Sequence, residues 1–181
     1  MSLFITLARL EGDDNLHQAR LLILLRAFSG GSGEETVDGL TKLAKLDFLL
    51  RYPVYLERAL EAKNRSTREV QVSEHERKSI ESSMVRYHYG PWDHRYRRFI
   101  NLLVARGLAE VGPEGRTLRV GLTGAGRDAA ERLASDERFE DVARRAKVLY
   151  RDFNQRGTHL MRFIYSTFPE VVSLRMGEEI E

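Results

Sequence analysis

The sequence predicts a mainly α chain that carries one small β-hairpin, an α+β protein. Three observations predict it. Apolar residues recur at spacings of three and four through most of the 181 residues, the period of an α-helix packed on one side. Most of the glycines and all four prolines fall between these runs or at their ends. One stretch, 108–122, alternates instead at period two around Gly112-Pro-Glu-Gly115, the signature of two short strands joined by a turn. With 42% apolar and 31% charged residues, a chain of this length can bury a core without cross-links. It has no cysteine, which excludes disulfides, thiolate zinc sites and cysteine nucleophiles.

The elements follow in order. Leu3–Leu10 reads as a short strand or an arm. Asp13, Asp14 and Asn15 offer an N-cap and negative charge for a helix over Leu16–Phe28. That helix is apolar nearly all round, which suits a buried central helix or a dimer face. Ser29-Gly-Gly-Ser-Gly33 ends it as a loop, without the lysine or preceding strand of a phosphate-binding loop. Leu40, Leu43, Ala44 and Phe48 mark a helix over Val37–Arg51, and Pro53 opens the next, to about Lys63. Glu69–Val72 is a candidate strand. Ser73 with Glu76 is a capping box for a helix to about Arg86. Tyr89–Asp93 is a tight turn with Asp93 as N-cap, and the next helix runs to Arg106, with Tyr96, Phe99, Ile100 and Leu103 on its apolar face. Gly107 caps it, Leu108–Val111 and Thr117–Leu122 are strands, and Thr123 caps a helix over Gly124–Leu133. Along the second strand Leu118, Val120 and Leu122 share one face, Arg119 and Gly121 the other. Helices through Phe139–Phe153 and Thr158–Phe168 complete the chain, Pro169 ends the last, and Val171–Ile180 reads as a strand or an arm.

Helix, glycine, strand, turn, strand and Thr-capped helix is the order of a winged helix-turn-helix core, here with additional N- and C-terminal helices. The expected organisation is 1–72 as a helical part packed on the core, 73–135 as the winged-helix core and 136–181 as C-terminal helices, in one compact unit. Net charge is +2, but Met84–Arg127 holds eight arginines against Asp93, Glu110 and Glu114, a local +5. A basic segment in a near-neutral chain is the footprint of a nucleic-acid surface, or of a solvated helix. On the first reading His94, Arg95, Arg97, Arg98 and Asn101 face a major groove, Arg116 and Arg119 serve the wing, and Arg86 and Arg127 hold phosphates at the rim. The aromatic group Tyr87, His88, Tyr89, Trp92 and Tyr96 fits packing better than base stacking. His88 and His94 lack carboxylates at metal-ligating spacing, and His17, His75 and His159 are scattered. No nucleophile elbow or paired carboxylates stand on a cleft-forming motif, and no cofactor fingerprint is present, so the reading is of a non-enzymatic chain. No run approaches the ~20 apolar residues of a membrane span, and no leader pattern is visible. The expected setting is therefore cytoplasmic, with no membrane partner.

Arg106-Gly-Leu108 followed by Leu122-Thr-Gly-Ala-Gly-Arg127 resembles the ending of MarR-type winged-helix domains. Leu40–Pro53, Arg86–Arg106, Gly157–Tyr165 and Phe168–Val171 resemble the middle components of bacterial three-component ABC-ATPase systems. That second resemblance implies a small winged-helix accessory subunit working beside an ABC-type ATPase in phage or plasmid defence, and it implies no active-site residues. The partners so indicated are that ATPase, double-stranded DNA and a second copy bound through apolar helices. The alternative is a homodimeric winged-helix transcriptional regulator.

Overall fold

The computed structural model describes residues 14–78, 85–87, 90–92 and 95–173. Helix α1 (Asp14–Ala27) buries His17, Gln18 and everything from Arg20 to Leu25. It lies against the later helices and the sheet, so its apolar surface is covered within the chain, and it is the central helix rather than a free dimer face. Strand β1 (Val37–Asp38) and helix α2 (Leu40–Arg51) follow, and Pro53 opens α3 (Pro53–Ala62) at its first turn. The helix expected from Val37 thus begins three residues later. Val37 is fully buried in a strand, and Gly39 turns the chain at φ 94° while donating its N–H to the Leu118 carbonyl at 2.7 Å. A positive φ of this size suits glycine alone.

The strand expected at Glu69–Val72 is not formed. The Glu69 carbonyl accepts from Arg144, and those of Val70 and Gln71 accept from Arg145, at 2.8–3.0 Å, so arginine side chains take the place of a ladder partner. Arg145 also grips Glu76 through two bonds of 2.6 and 2.9 Å. A buried guanidinium thereby pins the 69–76 stretch to the C-terminal helices. The capping box forms as expected: Ser73 Oγ accepts from the Glu76 N–H, and Glu76 Oε2 from the Ser73 N–H. Helix α4 spans Glu74–Lys78, and Val85–Tyr87 (β2) pairs antiparallel with Gly90–Trp92 (β3). Val85 and Arg86 are therefore strand, not the end of a helix, and Gly90–Trp92 is its partner rather than a turn.

Helix α5 (Tyr96–Ala105) leads through Gly107 (φ 68°) into β4 (Ala109–Glu114) and β5 (Thr117–Leu122). The expected turn at 112–115 is tighter in fact. Pairing continues to Glu114–Thr117, so Gly115-Arg116 is a two-residue turn with φ 57° at its glycine. The sheet order is β1–β5–β4, all antiparallel, with Val37 opposite Val120. Helix α6 (Gly124–Ala134) is capped by Thr123, whose Oγ1 accepts from the Gly126 N–H and donates to the Gly107 carbonyl. A Cβ at Gly126 would sit 1.7 Å from the Leu108 carbonyl oxygen, so only glycine permits this approach. Helices α7 (Glu140–Phe153) and α8 (Gly157–Thr167) complete the packing. Pro169 opens a short further helix, α9 (Pro169–Ser173), which takes the first three residues of the stretch expected as an arm or strand. The rest of that stretch, and the strand or arm expected at Leu3–Leu10, lie outside the described residues. One hydrophobic cluster runs from Leu21 to Val171 and draws on α1–α3, the three strands β1, β5 and β4, and α5–α9. The described chain is thus mainly α with a small antiparallel sheet. None of its described helices is long and apolar enough to cross a membrane.

Candidate nucleic-acid interface

Helix α5 is amphipathic in the plainest sense. Tyr96, Phe99, Ile100 and Leu103 are buried, while Arg97, Arg98, Asn101 and Val104 are exposed. Its buried side is fixed by a polar knot as well as by apolar packing. Tyr96 donates its hydroxyl proton to Asp47 on α2, and Asp47 also accepts from Arg20 on α1, with Nε at 2.8 Å. Burial first, then the negative charge of Asp47, push the Tyr96 phenol well above its ordinary range, which keeps it a donor. Arg20 also donates to His17 Nδ1 at 2.7 Å. Guanidinium has no acceptor, so in that contact Nδ1 is the accepting atom. The His17 ring stacks on Phe99, 5.0 Å between centroids.

This knot decides the fate of the expected contact residues. Arg95 is not solvent-facing. It is half-buried, with its guanidinium 5.3 Å from the Phe99 ring centre and 3.3 Å from His17 Nε2. Cation–π contact and packing draw it onto the α1–α5 seam. Arg127 is not a rim residue either. It donates to the Gly33 and Leu122 carbonyls at 3.3 and 3.1 Å, fastening the glycine loop to the end of β5. Arg98 is exposed but pairs with Asp14 at 2.5 Å, and Arg106 donates to Asn15, so both attach α5 to the first turn of α1. Arg97, Asn101 and Arg116 are exposed as expected, Arg116 at the hairpin tip. Arg119 is exposed on the outer face, lying across Gly112, where a Cβ would stand 3.1 Å from its Nε. Arg86 is placed on β2 opposite Pro91, and His94, with His88, Tyr89 and Asp93, lies outside the described residues. No group of three or more metal-ligating side chains occurs among the described residues.

A second property of this surface was not anticipated. The exposed large apolar side chains among the described residues are Val104, Val111 and Leu118, at 42, 40 and 45%. The first lies on α5 and the others on the hairpin. On the apolar face of the hairpin, burial declines toward the tip. Ala109 and Leu122 are covered and Val120 is sealed by the sheet, but Leu118 and its partner Pro113 stand in solvent. The period-two alternation gives the face correctly. It cannot give how far the face extends beyond the core. The knot itself left a trace in the sequence, since His17, Arg20 and Asp47 stand beside the apolar runs Leu21–Leu25 and Phe48–Leu50.

The fold and surface together define a helical chain whose hairpin and adjoining helix present a mixed basic and apolar face. No family model, curated protein or solved structure matches the chain.

Proposed function

We propose that the chain is a non-enzymatic winged-helix accessory subunit that docks a partner protein through α5 and the β4–β5 hairpin. The observation that carries this reading is the composition of that face. Val104, Val111 and Leu118 are exposed there, whereas Arg95, expected in the groove, and Arg127, expected on phosphate, are turned inward. Exposed apolar groups ringed by polar ones favour protein contact over a duplex, whose affinity rests on unengaged cations. The winged-helix assignment is supported by the strand order β1–β5–β4 and by the helix–strand–helix that precedes it. On this reading the unit is drawn from 14–51 and 96–134, and 53–92 is an insertion between its second and third helices. The resemblance to middle components of three-component ABC-ATPase systems nominates an ABC-type ATPase encoded beside this chain as the partner.

The test is co-purification of the chain with such a neighbouring ATPase. A stable complex that Val104→Glu and Leu118→Glu dissolve, with the fold intact, is the expected result. No complex, or one indifferent to both changes, overturns the reading. A DNA-binding regulator is the second reading, favoured by the exposed Arg97, Asn101, Arg116 and Arg119. Micromolar duplex binding that weakens steeply with salt and is lost in an Arg97→Ala/Arg116→Ala variant would install that reading instead.

A further inference from the structure

A cavity of about 800 Å³ opens between the sheet edge and the C-terminal helices. Its walls are Asp38 and Gly39, the first turns of α2, Thr117 of β5 and the link from α7 into α8. The size is that of a small-molecule site. Two lysines of α2, Lys42 and Lys45, line it, and both are more than nine-tenths buried. Lys42 donates to Asn154 Oδ1 at 3.2 Å. Lys45, at 2% exposure, has only the Thr41 carbonyl at 3.4 Å, and no carboxylate among the described residues pairs with it. Gln155 also lines the cavity, and its Nε2 is buried with no hydrogen-bond partner. Two helices begin at the same wall. Neither α2 (12 residues) nor α8 (11 residues) has a side chain capping its first amides. Gly157 at the start of α8 stands so near α2 that a Cβ there would touch Lys42 Cβ at 3.5 Å.

Each of these features on its own is common. Together they place two buried ammonium groups, an orphan amide donor and two helix N-termini around one space, against the single carboxylate of Asp38. A buried, unpaired charge is costly, and it is lowered in cost by an opposite charge brought from outside. Helix N-termini and lysines are the donors that suit a phosphate, the lysine acting as a compact point charge. We propose that this cavity binds a small organic phosphate, its phosphoryl group held by Lys42, Lys45 and Gln155 at the N-termini of α2 and α8. Burial lowers the Lys45 amine to about 8, so near neutral pH it is still the cation the ligand needs. Thr117 belongs to the strand that forms half of the hairpin, so the occupant would touch the sheet that carries the docking face.

The experiment is calorimetric titration of the full chain with adenosine 5′-monophosphate and inorganic phosphate, with adenosine and chloride at matched ionic strength as controls. Adenosine monophosphate and phosphate should both release heat and raise the melting temperature at millimolar concentration. Adenosine and chloride should do neither. Lys45→Met should weaken binding about tenfold or more, the loss of one charge-assisted bond, and should melt no lower than the parent chain. Lys42→Met and Gln155→Leu should weaken it in the same direction, and they decide the matter if Lys45→Met does not fold. Phosphate behaving as chloride, or variants binding as tightly as the parent, overturns the proposal.

Discussion

Among the buried charges of helix α2, Lys45 and Asp47 stand two residues apart, and the protein treats them in opposite ways. Asp47, 1% exposed, is surrounded by donors: Arg20 from α1 and Tyr96 from α5. Lys45, equally buried, faces a cavity with one long backbone contact. A carboxylate so fully answered is part of the scaffold, because it ties three helices in one geometry. A cation so poorly answered adds nothing to that scaffold and costs desolvation. The contrast separates a charge kept for architecture from one kept for something that arrives later.

The contrast can be broken most readily at Asp47. Asp47→Ala leaves Arg20 buried without its counter-charge and should cost about 3–5 kcal/mol in chemical unfolding. A loss below ~1 kcal/mol would show the knot to be ornamental. Lys45→Met should go the other way, gaining on the order of 1–3 kcal/mol at pH 7. The sign follows from linkage. The amine holds its proton less well folded (about 8) than unfolded (10.5), so the parent chain is penalised below pH 8. The penalty fades as pH rises from 8 to 10.5, and unfolding curves of the two proteins should converge across that window. A gap that stays constant with pH would mean the gain comes from packing alone. Tyr96→Phe removes one donor from an otherwise intact knot and should cost about 1–2 kcal/mol, as read by thermal melting. Arg97→Ala with Arg116→Ala should leave stability within about 0.5 kcal/mol, since both side chains are exposed. Any larger change in their melting temperature would move them from the surface ledger into the scaffold.

What was legible in the sequence were features that local chemistry determines. Ser73 with Glu76, Gly107 and Thr123 each satisfy backbone groups within a few residues, so their roles can be read from spacing alone. The pairing of Val37 with Val120 cannot, because a two-residue strand exists only through a partner more than eighty positions away. The same distance hides the direction of Arg95 and Arg127. Both read as surface cations until His17 and Phe99, or Gly33, are brought beside them. Lys42 and Lys45 gave a clue that periodicity alone undervalues. They stand at a three-residue spacing in a helix whose every residue from 42 to 51 is buried, so neither has a solvent face to occupy.

Strand β4 lies at the margin of its sheet, with β5 on one side and none of the described strands on the other. Such a margin presents a row of backbone groups that could recruit a strand from another molecule. Pro113 removes one donor from that row, and Glu110, exposed on the same strand, adds a charge that a second sheet would have to strip of water. At the opposite margin β1 is only two residues long, too short to template anything. The protein can therefore display Val111 and Leu118 at high local concentration without inviting amyloid-like stacking. A partner docked there, as proposed, would meet side chains on a margin that Pro113 has stripped of one donor.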